Sequence, residues 1–147
     1  MPDLAKVIRE VFRRSRPTKA VTRAKASLNN GQSLYAVNDI FVGPKTHGSA
    51  RDTIHHDDQT ERHSSSGVII SIGMGSSGWL TSLLAGARAI TAAARKVQPS
   101  DEPRERRTSP SVRFPWEADH LCCTVGEPFP SKTTGASLVT SRAGLER

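Results

Sequence analysis

Apolar residues change their period several times along the chain, and each change marks an element. From Asp3 to Arg14 (DLAKVIREVFRR) Leu4, Val7, Ile8, Val11 and Phe12 recur at steps of three and four, with Lys6, Arg9, Arg13 and Arg14 mostly off that face. This is the period of an amphipathic helix. Asp3 is placed to cap it, and Pro17 is expected to end it. Its shortness and its acids favour packing on its own domain over lying on a membrane surface. Between Thr18 and Val42 two extended segments flank Asn29-Asn30-Gly31, a turn sequence that favours positive φ. A β-hairpin is expected, its second arm running from Ser33 to Val42.

The strongest pattern lies between Ser64 and Lys96. Val68-Ile69-Ile70 is β-branched throughout and bounded by Gly67 and Gly73, which marks a buried strand rather than a helix. The chain then turns through Gly73, Gly75 and Gly78, where the missing β-carbon permits unusual backbone angles and close approach of another group. Ser76 and Ser77 offer capping hydroxyls to a following helix. Trp79, Leu80, Leu83, Leu84, Ala87, Ile90 and Ala94 then share one helical face. A helix N-terminus presents unpaired N–H groups, so phosphate is the ligand that this turn suits by its backbone alone.

Beyond the helix, residues 98–112 are rich in Pro, Ser, Arg and Glu and read as a surface loop. Arg113–Val125 and Gly135–Thr140 read as strands, separated by Pro128-Phe129-Pro130-Ser131, whose prolines exclude regular pairing. The expected fold class is α+β: an incomplete antiparallel β domain with one N-terminal helix and one long helix after the glycine-serine turn.

Composition thins this picture. Hydrophobic residues make up 35% of the 147, aromatics 5%, and the chain carries 9 Pro and 11 Gly. The core is therefore small for the length, and part of the chain is expected to be loop or disordered. A formal charge of +7 fits an anionic partner such as a nucleotide, a nucleic acid or an acidic surface. The cations are scattered from Lys6 to Arg147 without a long run, and few aromatics are available for stacking, which argues against nucleic acid. Cys122 and Cys123 are adjacent and cannot form a cross-linked scaffold. No apolar stretch reaches signal-peptide or membrane-spanning length, and a soluble cytoplasmic protein is expected.

Three spots carry candidate chemistry. Asn38-Asp39 interrupts the apolar second arm of the hairpin; such a pair faces solvent, forms a bulge, or bonds a ligand through its amide and carboxylate. His55, His56, Asp57, Asp58, Glu61 and His63 are concentrated between two strand-like segments. No spacing among them fixes three or four ligands at one point, so a polar connection is expected there rather than a metal site. Gly73-x-Gly75-x-x-Gly78 matches the dinucleotide-binding fingerprint, follows a strand and opens a helix. The second strand that should end in an acid about 20 residues on is replaced by the proline-rich segment around Asp101 and Glu102. The glycine loop of protein kinases, which joins two strands, fits less well.

Taken together, these pieces resemble the NAD kinase family. Asn38-Asp39, preceded by Ala36-Val37, resembles that family's LNE/ND element, and Ser66 to Trp79 (SGVIISIGMGSSGW) resembles its DGLIVSTPTGSTAY. Order and separation both fit, over residues 3–95, with a fainter continuation in the later strands. The resemblance implies that both elements sit on a mainly β second domain and hold NAD as substrate. Asn38 and Asp39 would bond ribose hydroxyls; Ser77, Gly78 and Trp79 would surround a nucleoside part; Ser82 matches a serine contact. Ser66 stands where the family has Asp, Trp79 where it has Tyr, Asp39 where Glu is usual, and Ile72-Gly73-Met74 where Thr-Pro-Thr is expected. The GGDGT signature, which carries the phosphate-binding glycines and the catalytic aspartate, is missing from these residues.

On this resemblance residues 1–17 are the terminal helix of a truncated N-terminal α/β domain. Residues 18–97 form the β domain with its substrate turn and helix, 98–112 a flexible loop, and 113–147 further strands, cut short. The implied function is phosphoryl transfer from ATP or polyphosphate to the 2′-hydroxyl of NAD, giving NADP. ATP and a divalent metal such as Mg are implied only for the complete enzyme; this chain holds the NAD-binding part, no catalytic residue and no metal site. Homo-oligomers formed through the β domain are implied too. The alternative is a non-catalytic basic protein that binds nucleotide or nucleic acid, or an inactive relic of a kinase.

Overall fold

The computed structural model of the chain describes residues 3–97 and 113–144, so the expected loop at 98–112 lies outside the described residues. Helix α1 (Leu4–Phe12) is capped by Asp3, whose carboxylate accepts the Ala5 N–H at 3.0 Å. It stops well before Pro17 because Arg14 turns into the left-handed region, at φ 51°. Its apolar face finds no cover among the described residues: Leu4 is 71% exposed and Phe12 84%. The helix forms where the periodicity placed it, but among the described residues the expected packing of this face on its own domain is not seen: none of its residues is buried.

Strands β1 (Ala24–Ser27) and β2 (Ser33–Ala36) form the expected hairpin, Ala24 opposite Ala36, with Gly31 at φ 83° supplying the turn. The second arm does not run on to Val42. It breaks at Val37-Asn38, and β3 (Asp39–Val42) joins a different sheet. The core explains the break. Ala24 packs with Ile40 and Ile72, flanked by Ala26, Ala36, Ile70 and Leu121, so the small residues of the hairpin lie on one face of the sheet that β3 enters. Asn38-Asp39 is the corner between the two layers.

Residues 48–63, expected to be an irregular polar connection, instead form most of a second hairpin, β4 (Ala50–His56) with β5 (Gln59–Ser65), turning at Asp57 with φ 52°. No apolar alternation announces it, because its inward positions are polar. His63 and Ser65 are buried beside Ala50, and Glu61 accepts Ser137 Oγ at 2.6 Å and the Leu138 N–H at 2.7 Å.

These hydrogen bonds, Ser137 Oγ first and the Leu138 N–H next, hold the Glu61 carboxyl below its ordinary value of 4.5. A carboxylate so lowered contributes stability that is full above the ordinary value and lost as pH falls through the folded one. Glu61→Gln is therefore expected to melt lower than the parent at neutral pH and to lose less on acidification through and below the ordinary glutamate range. Thermal melts across that range check this; parallel curves would contradict it.

The central sheet is antiparallel and open, in the order β3, β6 (Gly67–Ser71), β7 (His120–Gly126), β8 (Thr140–Gly144). Two strand boundaries differ from expectation. β7 starts only at His120, because Pro115 and Trp116 pack by their backbone against Gly73 and the chain turns at Ala118, whose N–H bonds Pro115 O at 3.1 Å. The expected strand 135–140 is an irregular wrap around Glu61, and pairing resumes at Thr140. Cys122 and Cys123 alternate across β7, and burial pushes the Cys123 thiol up, with Cys122 adding to the rise; it stays protonated at neutral pH and is a poor nucleophile.

After β6 a single 3₁₀ turn, Gly75–Ser77, leads into α2 (Trp79–Val97). Only the first turns of α2 pack: Leu80 is 1% exposed, whereas Ile90 is 72% exposed. The fold is α+β with an unclosed sheet, hairpin β1–β2 on one face and the start of α2 on the other. Among the described residues no helix is long and apolar enough to cross a membrane.

Candidate functional site

Alternation along the central strands sorts side chains by face. Ile40 and Ile70 point into the core with Ala24. Asp39 and Phe41 on β3, and Gly67, Ile69 and Ser71 on β6, point the other way, paired as Asp39 with Ser71 and Phe41 with Ile69. α2 begins over this second face. Its first residue, Trp79, lies against Phe41 with ring centroids 5.4 Å apart and planes tilted by 32°. Phe41, Ile69, Trp79 and Leu83 wall a cleft of about 310 Å³ whose polar end is Ser66 and Glu127. Ser66 Oγ donates to Glu127 Oε2 at 2.5 Å. An aromatic-lined slot with a polar end is the kind of surface that takes a flat ring.

The Asn38-Asp39 corner docks on the glycine turn. The Ile72 N–H donates to Asn38 O at 2.9 Å, and Ser71 Oγ donates to Asp39 Oδ1 at 2.5 Å. A β-carbon on Gly75 would run into the Asn38 carbonyl and the Asp39 carboxylate, and one on Gly73 into the Pro115 carbonyl. Gly73 and Gly75 are thus required for close approach, and what approaches is the chain's own backbone. Phosphate has no room at those two glycines, which corrects the pyrophosphate reading of the fingerprint. The serines also act differently from expectation. Ser76 Oγ donates back to Gly73 O at 2.7 Å and Ser77 Oγ to Met74 O at 3.3 Å. Both hydroxyls tie the turn together instead of capping α2.

The expected site residues therefore divide. Ser66 and Trp79 line the cleft. Asp39 sits two residues from Phe41 on the same strand face, about 7 Å along β3, and Asp39 Oδ2 has no donor among the described residues. Asn38 is exposed, held by its backbone with its amide free among the described residues. Ser77 ends the 3₁₀ turn, Gly78 links it to α2 and Ser82 lies on the first turn of α2; all three are exposed and outside the cleft lining, and Ser82 Oγ donates to Gly78 O at 3.3 Å. Sequence reasoning missed Phe41 and Glu127. Phe41 could have been found from the period of two that places it with Asp39; Glu127 reaches Ser66 only through the pairing of Gly67 with Gly126, for which the sequence gives no signal.

Among the described residues no group of three His, Cys, Asp or Glu side chains could hold a metal ion. The dense run His55 to His63 is dispersed by its own hairpin: His55 Nδ1 meets Thr60 Oγ1 at 2.9 Å, and His56 Nε2 meets Arg142 O at 3.2 Å. Tyr35 lies under Arg23 and Lys25, and Trp116 under Lys19 at 5.0 Å, so cations cover those rings while the Phe41–Trp79 pair faces the cleft. No protein-family model matches this chain, and no curated protein matches it.

Proposed function

We propose that the cleft between β3, β6 and the first turn of α2 holds the nucleoside part of NAD or a related dinucleotide, in an NAD-kinase-like cytoplasmic protein. The observation that carries the reading is the tilted Phe41–Trp79 pair standing on the same sheet face as the Asp39 carboxylate. A flat base would occupy the aromatic slot, and a ribose beside it would offer hydroxyls to Asp39 Oδ2 and the Asn38 amide. In this reading the chain supplies the acceptor side of phosphoryl transfer to the 2′-hydroxyl of NAD. The donor phosphates of ATP and a divalent metal such as Mg are the business of the GGDGT element, which these 147 residues do not contain. Self-association through the β domain is part of the proposal, and the open edge of β3, where Val42 is about half exposed, is where a second copy would add.

Calorimetric titration with NAD tests it. Saturable binding is expected, weakened at least about tenfold by Asp39→Ala, the loss of a charged hydrogen-bond acceptor. NADP formation from NAD, ATP and Mg by the purified chain is expected to be negligible, since positioning of the donor phosphates provides most of the catalysis in such reactions. Salt-steep binding of a single-stranded oligonucleotide without NAD binding would replace this reading with the nucleic-acid one.

A further inference from the structure

A second, larger hollow of about 650 Å³ adjoins the cleft, and the two share Ser66 and Glu127. It runs along hairpin β4–β5 and the segment after β7, which flanks β5 through Phe129 N–H to Ser64 O at 2.8 Å and Gly135 N–H to Arg62 O at 2.9 Å. Arg51 and Arg62 both line it, and the register places them on one face of the hairpin, Arg51 opposite Ser64 and Thr53 opposite Arg62. They are diagonal neighbours, close enough for long side chains to converge on one group. Neither makes an ion pair among the described residues. Ser131, Thr133 and Thr134 line the far side, where the Thr134 hydroxyl donates to Phe129 O at 2.8 Å and Ser131 Oγ lies 2.8 Å from Thr134 Oγ1, so this side is tied together by its own hydrogen bonds.

Two carboxylates and two histidines, His47 and His63, also lie along its wall. Asp52 alternates onto the opposite face of the hairpin from Arg51, directly across from His63, and Glu127 is engaged by Ser66. His63 is 1% exposed, and neither of its ring nitrogens nor Asp52 Oδ2 has a hydrogen-bond partner among the described residues; His63 Nε2 lies 2.9 Å from Glu61 Oε2 without hydrogen-bond geometry. Asp52 and His63 belong to the hairpin face opposite Arg51 and Arg62, so the arginine face carries the positive charge of the hollow without a facing carboxylate of its own hairpin.

We propose that this hollow takes a phosphate group, Arg51 and Arg62 gripping its oxygens, with the Ser66–Glu127 hydrogen bond as the ridge between it and the aromatic cleft. Paired guanidinium groups match phosphate geometry and stay charged at every working pH. The inference rests on the nucleotide reading of the cleft: the base lies in the cleft against the Phe41–Trp79 pair, and the phosphate crosses the ridge. It moves the anion site away from the glycine turn, where the chain's own backbone fills the space, to a hairpin that carries no glycine motif.

The test is titration of the parent chain, Arg51→Gln/Arg62→Gln and Trp79→Ala with adenosine, AMP and inorganic pyrophosphate. Both arginines are exposed, so their replacement leaves the core intact; Trp79→Ala removes the slot. AMP is expected to bind the parent more tightly than adenosine, with at least about tenfold of that advantage lost in the double variant and adenosine binding unchanged. Trp79→Ala is expected to weaken both and leave pyrophosphate binding in place. An AMP advantage that survives the double variant would overturn the phosphate site while leaving the cleft reading intact. Arginine-dependent pyrophosphate binding with no adenosine or AMP binding would keep the anion site and sink the nucleotide reading. Absence of binding by all three ligands would overturn both.

Discussion

Gly75→Ala is expected to abolish NAD binding and to destabilise the chain by about 1–3 kcal/mol, the usual cost of forcing one carbon into a packed region. The added β-carbon would meet the Asn38 carbonyl carbon and oxygen, which are backbone and cannot rotate away, and Asp39 Oδ1 at 2.6 Å. The corner must therefore lift off the turn. Lifting it breaks the Ile72 N–H to Asn38 O bond and the Ser71 hydroxyl bond to Asp39, so stability and the placement of the expected ribose contacts fail together. Gly86→Ala is the control: nothing lies within 4 Å of a β-carbon there, and alanine in an exposed helix interior is favoured over glycine by about 1 kcal/mol. Urea unfolding alongside calorimetry measures both effects. A Gly75→Ala chain with parental stability and affinity would mean that the corner and turn are not pressed together.

Ile72→Ala is expected to cost more stability, about 2–5 kcal/mol. Ile72 is fully buried, at 0% exposure, and joins Ala24 of the hairpin to Ile40 of the central sheet. Half of its neighbours there, Ala24, Ala26 and Ala36, are alanines, too short to collapse into the space it leaves. In a core this small one such cavity threatens the whole fold, since small domains hold only about 5–15 kcal/mol in total. The urea midpoint should fall with the slope unchanged; a shift under 1 kcal/mol, on the order of a surface substitution, would show that the two layers are not joined at Ile72.

What the sequence made legible follows the same division between apolar pattern and polar pairing. Val68 to Ile70 announced β6, and the leucines after Trp79 announced α2, because burial on one face leaves a period. The β1–β2 hairpin was legible from Asn29-Asn30-Gly31. The β4–β5 hairpin was not, since its inward side is polar: His63 and Ser65 are buried there, and Glu61 is held by Ser137 and Leu138, more than 70 positions away. The end of the second arm was hidden for a related reason: Val37-Asn38 reads as a blemish in a strand, and only the docking of Gly75 on the Asn38 carbonyl turns it into a corner. Of the residues named from the family resemblance, Ser66 and Trp79 line the cleft, and Asn38-Asp39 forms the corner beside it. Phe41 was within reach of the period of two that places it with Asp39, whereas Glu127 required the register of β6 on β7, which local sequence does not encode.

The most direct measurement uses Trp79 as its own reporter. With Trp116→Phe removing the other tryptophan, the emission of Trp79 is followed as NAD is added. Saturable quenching is expected as a ring enters beside Phe41, shifted to at least about tenfold higher NAD by Asp39→Ala. Emission indifferent to NAD, or quenching that Asp39→Ala leaves unmoved, would contradict a dinucleotide site in this cleft.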